Sequence, residues 1–136
     1  MNMKKKLACM ALRCLFLAAF LLIPVSEIRA QAQAPREQFV YVLRVTPKFH
    51  DASSWKEGEQ SAVARHFERL SKATRTGQVI LAGRTNEPLD KTFGLVIFEA
   101  ANESEARAFM EADPAIQAGV MSGALHRYSV ALLRKP

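Results

Sequence analysis

The sequence predicts an α+β fold with elements in the order β-α-β-β-α-β. Three observations carry this. Four short segments are rich in β-branched and aromatic residues. Two longer segments repeat apolar residues at steps of three and four. Gly, Pro and Asn-type signals separate them in that order.

The domain is preceded by a targeting segment. Lys4, Lys5 and Lys6 lead into an apolar stretch that Arg13 interrupts and Pro24 ends, and small residues follow up to Ala34. That order of basic, apolar and small-residue regions is the pattern of a secretory signal peptide. The uninterrupted apolar part is short of the roughly 20 residues a bilayer span needs. We therefore expect residues 1–30 to be a signal peptide, 31–38 a flexible tail and 39–136 the folded domain. Cleavage can fall anywhere from position 30 to 34, and the product would be periplasmic or secreted, with no membrane attachment afterwards.

Removing the signal changes the chemistry of what remains. It holds five of the 19 basic residues (Lys4, Lys5, Lys6, Arg13, Arg29) and one of the 13 acids, Glu27, leaving 14 against 12 and a net charge of +2. The basic character thus belongs to the targeting segment, and the mature chain gives no ground for a nucleic-acid partner. Both cysteines, Cys9 and Cys14, also lie in the signal. A mature chain without cysteine excludes a cysteine nucleophile and thiolate metal ligands.

The elements follow in order. Residues 39–46 (FVYVLRVT) read as a strand with Phe39, Tyr41, Leu43 and Val45 on one face and Val40 and Val42 on the other. Residues 47–60 contain Pro and Gly and no helical stripe, so they read as a long loop, of the kind that often carries function. Residues 61–76 read as a helix whose apolar stripe is Val63, Phe67, Leu70 and Thr74, with Arg65, Arg69 and Lys72 on a solvated side and Gly77 as the stop. Residues 79–82 and 93–99 read as two strands joined by a polar connection. Asn102 with Glu105 three residues on resembles a capping box opening a helix to about position 112. Asp113 and Pro114 then cap and start a short helix. Gly119 and Gly123 punctuate a loop, and residues 126–133 read as the last strand.

This order is that of the ferredoxin-like split arrangement. Strand residues 93–98 are apolar on both sides, as is the first strand, whereas an antiparallel sheet with one wet face alternates. Two helices cover one face only. A homodimer packed sheet to sheet, a dimeric α+β barrel, is the expected solution.

Several stretches together resemble the YCII-related (YciI-like) family of small dimeric α+β barrel proteins. They are HFERL at 66–70, GQVILAG at 77–83, GLVIFEA at 94–100, ESEARA at 103–108, and Asp113-Pro114 with AGV at 118–120. The match departs at Arg84, where family members usually have Pro, and in a longer stretch before the first helix. The resemblance implies a candidate catalytic pair, His66 and Asp113. It also brings in a relative that looks like a dehydrochlorinase of a chlorinated hydroxyquinol.

The residues allow more than one role. His66 falls at the margin of the helix's apolar stripe, where a half-buried imidazole is either a general base or a core histidine bonded to a carbonyl. Asp113 is a helix cap that can also orient a histidine. His50 and Trp55 in the long loop are either a lid and aromatic wall of a pocket or ordinary surface-loop residues. Arg84 could hold a carboxylate or phenolate bidentately, and Arg84 or Lys48 could stabilise developing negative charge; the simpler reading of Arg84 is a solvated hairpin tip. Asp90 and Lys91 lie in the same connection as Arg84, and His126 reads as a strand-edge residue. The three histidines form no metal motif, and no phosphate loop, nucleophile elbow or dinucleotide fingerprint appears.

Three functions follow as expectations. The first is a lyase or isomerase needing no cofactor, acting on a small aromatic or anionic compound through His66 and Asp113. The second is a periplasmic ligand-binding or stress-related module without turnover. The third is a structural interaction protein.

Overall fold

The computed structural model describes residues 36–134. The expected signal peptide and residues 31–35 of the expected tail lie outside the described residues, as do both cysteines; the tail's last residues, Glu37 and Gln38, already belong to the first strand. Among the described residues no helix is long and apolar enough to cross a membrane.

The strands are β1 (Glu37–Val45), β2 (Val79–Arg84), β3 (Phe93–Ala100) and β4 (Met121–Arg127). The helices are α1 (Glu57–Arg75), α2 (Glu103–Glu111) and the short α3 (Pro114–Gln117), and two 3-10 turns, Pro47–Phe49 and Ala52–Ser54, precede α1. The sheet has four strands in the order β2-β3-β1-β4, all antiparallel. This is the expected α+β, ferredoxin-like arrangement.

The pairing of β1 with β3 sets Phe39 opposite Phe98 and Tyr41 opposite Val96. These side chains share the face that receives the helices, where they pack with Leu43, Leu70, Ala73, Val79, Ala106 and Met110. Phe39, Tyr41 and Phe98 are wholly buried, each contributing about 2 to 3 kcal/mol by removal from water. Phe98 stacks on Phe109 at 4.7 Å and meets Tyr41 edge-on at 5.6 Å, both favoured aromatic geometries. The opposite face pairs Val40 with Ile97 and Val42 with Leu95. On that face Val40 is buried and Val42, Leu95 and Ile97 are half-buried.

Element ends follow local chemistry. Helix α1 begins four residues earlier than its apolar stripe suggested, because the Glu59 carboxylate accepts the Lys56 backbone N–H at 3.0 Å and holds the first turn. It ends at Gly77, whose φ of +80° is the left-handed conformation that glycine adopts without steric penalty. Asn102 caps α2 by accepting the Glu105 N–H at 2.9 Å, while Glu105 reaches back to the Ala101 N–H at 3.3 Å, one residue before the usual partner.

Three expectations are corrected. The last strand lies at 121–127 and not at 126–133; beyond it only Tyr128 adds a rung, its N–H donating to the Gln38 carbonyl at 2.9 Å. Gly123, read as a loop signal, sits inside the strand, beneath the side-chain ends of Ile116 and Met110. A Cβ there would lie 2.7 Å from Ile116 Cδ1 and 3.0 Å from Met110 Sδ. The stripe of α1 is also turned. Its buried residues are Ala62, Leu70 and Ala73, whereas Phe67 is 72% exposed.

The long loop is tied down by a small second cluster of Phe49, Ala62 and Val120, with Trp55 and Val63 against it. Trp55 Nε1 donates to the Phe49 carbonyl at 2.8 Å, and Thr46 N–H donates to the Val120 carbonyl at 3.0 Å. These contacts fix the segment that leads into α1.

Candidate functional site

The chemistry gathers where α1 crosses the N-terminus of α3. Asp113 is the N-cap of α3, and its Oδ1 accepts the Ala115 N–H at 2.9 Å, as the sequence led one to expect of an Asp before Pro. The same carboxylate faces α1. His66 Nδ1 lies 2.7 Å from Oδ2 and 2.9 Å from Oδ1. The Tyr41 hydroxyl, rising from the middle strand, donates to Oδ2 at 3.2 Å. Asp113 is fully buried, and the His66 side chain is 13% exposed. Cap and histidine partner are therefore one group.

Burial alone would push the Asp113 carboxyl above its ordinary value. The hydrogen bond from His66 and the charge of His66 oppose this, joined by the Ala115 N–H and the Tyr41 hydroxyl, and together they hold it lower. Tyr41 moves the other way. Its burial raises the phenol most, the Asp113 charge adds to that, and Arg69 opposes it, so Tyr41 stays a donor. An ionised carboxylate can only accept, so His66 Nδ1 carries the shared hydrogen. In the neutral ring Nε2 is then the basic nitrogen, the arrangement general-base chemistry needs.

His66 lines an open cavity of about 720 Å³ bordered by α1, β2, β3 and the long loop. Its walls are mainly apolar, with Leu43, Trp55, Val63, Leu70, Leu89 and Val96 among them. Ser71, Thr74 and Thr92 supply hydroxyls, and Arg84 supplies a cation. No Asp or Glu belongs to the lining. The stripe expected to be core on α1 thus has another use: Val63, Phe67, Leu70 and Thr74 all face this space.

The sequence-predicted site residues divide. The structure brings His66 and Asp113 together, and it sets Trp55 and Arg84 in the cavity wall. Strand β2 runs on to Arg84, which pairs with Gly94 on β3 instead of lying in the hairpin connection. His50 and Lys48 are not in the lining. The His50 ring Nε2 bonds the Val45 carbonyl at 3.0 Å, tying the 3-10 turn to the end of β1. Lys48 is exposed and sits 5.0 Å over the Phe49 ring. Asp90 and Lys91 are exposed, as is His126 on β4 opposite Val40. Among the described residues no group of three or more His, Cys, Asp or Glu gathers at metal-binding spacing.

Two members of the site escaped the sequence. Tyr41 read only as a core aromatic. Arg69 read as part of a solvated basic stripe with Arg65 and Lys72, yet its side chain is 24% exposed and reaches to 3.9 Å from Asp113 Oδ2. The signal was there in the spacing, since a residue three after His66 on a helix shares its side. Arg65 does stay outside, donating to Ser61 Oγ at 2.7 Å.

The YCII-related domain matches residues 39–125, which takes in all four strands and the His66–Asp113 pair. No curated protein matches the chain. Among solved structures, one similar to it is the 5-chloro-2-hydroxyhydroquinone dehydrochlorinase of Burkholderia phenoliruptrix, in complex with 2,5-dihydroxybenzoquinone. It is 19% identical, with a TM-score of 0.46, covering 68% of this chain and 93% of that one.

Proposed function

The chain belongs to the YCII-related family, and from that premise we propose that it is a cofactor-independent enzyme of the lyase or isomerase type acting on a small aromatic or anionic compound. The observation that carries this reading is the bond of 2.7 Å between His66 Nδ1 and a fully buried Asp113, on a ring that also lines the cavity. His66 Nε2 removes a proton from a carbon next to an electron-withdrawing group of the substrate. The bonding pair moves into that group, and Arg84 stabilises the negative charge. In an isomerisation the imidazolium returns the proton to another carbon. In an elimination the pair expels a leaving group as its anion, and the proton passes to water. Asp113 keeps the ring oriented and balances the imidazolium while it lasts. The apolar walls suit a planar ring, and the lack of acids in the lining suits an anion.

The proposal extends to the assembly and the compartment. The apolar face built from Val42, Leu95 and Ile97 is covered by a second copy of the chain, and the chain is exported by its N-terminal segment. Light scattering on the purified protein tests the first, and fractionation of cells making the full chain tests the second.

The experiment for the reaction is a screen of small aromatic acids and phenols in which product is detected by mass, comparing wild type with His66→Ala. Turnover that falls about 10²- to 10⁴-fold in the variant supports the general-base role. Undiminished turnover removes it. Saturable binding with no product from any bound compound makes the chain a binding module.

A further inference from the structure

Arg69 stands in a position that neither capping nor core packing requires. Its guanidinium lies 4.1 Å over the Phe109 ring, and Nη2 donates to the Phe109 carbonyl at 2.7 Å. These two contacts fix the fork. The other arm, Nη1, is buried and has no hydrogen-bond partner among the described residues, and it lies 3.9 Å from Asp113 Oδ2. A buried donor left without a partner costs about 1 to 3 kcal/mol, and such groups are uncommon enough to call for an explanation.

The explanation is charge. Asp113 is fully buried and already accepts from His66, Ala115 and Tyr41. It does not need Arg69 for hydrogen bonding. The guanidinium instead supplies a fixed positive charge beside a carboxylate that has no contact with water. With His66 neutral, Asp113 and Arg69 cancel and the cluster has no net charge. With His66 protonated, the cluster has one positive charge in excess. Water reaches little of it, since the exposures of the three side chains are 13%, 0% and 24%. In such surroundings a like charge is opposed far more strongly than in solvent.

We propose that Arg69 is a positioning residue that neutralises Asp113 and so keeps His66 unprotonated, with Nε2 bare toward the cavity. The proposal rests on the general-base reading of His66 and adds what sets its resting state. Without Arg69, the carboxylate would favour a standing imidazolium, which can give a proton but not take one. The groups that face the pair are Tyr41 from β1, Arg69 from α1 itself and the Ala115 N–H from α3, with Arg84 of β2 in the wall of the same cavity.

The test needs no substrate, so it stands whether or not turnover is found. The full chain is titrated while the His66 ring protons are followed by NMR, in wild type, Arg69→Met and Arg69→Lys. Methionine keeps an apolar stem over Phe109 and removes the charge; lysine keeps the charge and removes the fork. In Arg69→Met the His66–Asp113 pair takes up its proton at a pH higher by at least about half a unit. In Arg69→Lys it stays near the wild-type position. An unmoved or lowered midpoint in Arg69→Met overturns the proposal, whatever the change in melting temperature. So does a Lys variant that shifts as far as the Met variant. Should Arg69→Met fail to fold, Arg69→Gln retains a donor for the Phe109 carbonyl without the charge, and the same upward shift is required of it.

Discussion

Tyr41 donates its hydroxyl to Asp113 Oδ2 at 3.2 Å across a sequence separation of 72 residues. The bond joins a central strand of the sheet to the N-cap of α3, so a wholly buried aromatic of β1 and the carboxylate beside His66 are set by one another. Tyr41→Phe should preserve the ring packing and leave Asp113 short of a donor. A loss of about 1 to 2 kcal/mol in urea unfolding is expected, and an unchanged midpoint would show the bond to be without weight.

Asp113 makes stability depend on acid. Its carboxyl is held below the ordinary value of 3.8, so the folded state binds that proton less readily than the unfolded chain does. Its contribution is complete above that value and is lost as pH falls through the lower, folded-state value. In Asp113→Asn the side chain can still cap α3, but this part of the acid dependence should vanish, with a loss of about 2 kcal/mol at neutral pH. Unfolding curves collected from pH 7 down to pH 2 should converge for the two proteins at the acid end. Parallel curves would assign the acid dependence to other groups.

A methyl group at Gly123 would press on the side-chain ends of Ile116 and Met110. Gly123→Ala should destabilise the domain by no more than about 1 kcal/mol, as the movable ends of the Ile116 and Met110 side chains on α3 and α2 shift to admit the methyl group. Because α3 and its Asp113 cap keep their place, the His66 ring signals should not shift. A larger loss with shifted ring signals would mean that the helices themselves are displaced.

Arg84 is the cation in the cavity wall. Arg84→Ala should weaken an anionic aromatic ligand by about tenfold or more, the range of a lost charge-assisted hydrogen bond, and leave a neutral analogue of the same shape unaffected. Calorimetry with the matched pair reads the difference directly. Equal losses for both ligands would give Arg84 a packing role only.

Much of the fold was legible because local signals and tertiary needs coincide. The order of strand and helix signals gave β-α-β-β-α-β, and the four strands do form one antiparallel sheet. Asp113 before Pro114 is a cap both by rule and in fact. Where the reading slipped, two demands competed for one residue. Gly123 signals a turn by propensity, but it lies in a strand beneath the ends of Ile116 and Met110, and only the tertiary structure records that packing. On α1 the largest apolar side chains suggested the buried face. The small Ala73 packs into the sheet-face core and Ala62 into the cluster under the long loop, and periodicity of bulk does not register them. The His–Asp pair came from family resemblance and is geometric fact here. Arg69 was lost because arginine on a helix reads as solvent-facing until its neighbours across space are known.

The turned stripe of α1 bears on how a substrate could be found. Val63, Phe67, Leu70 and Thr74 border an opening where a core would ordinarily have neighbours, so part of this domain's apolar interior is left for a guest. A compound that fits would act as a missing piece of core and raise resistance to heat, by about 2.7 kcal/mol at a hundredfold excess over its dissociation constant. Melting curves across a library of small planar acids would therefore rank ligands before any reaction is known, and the protein would report its own substrate.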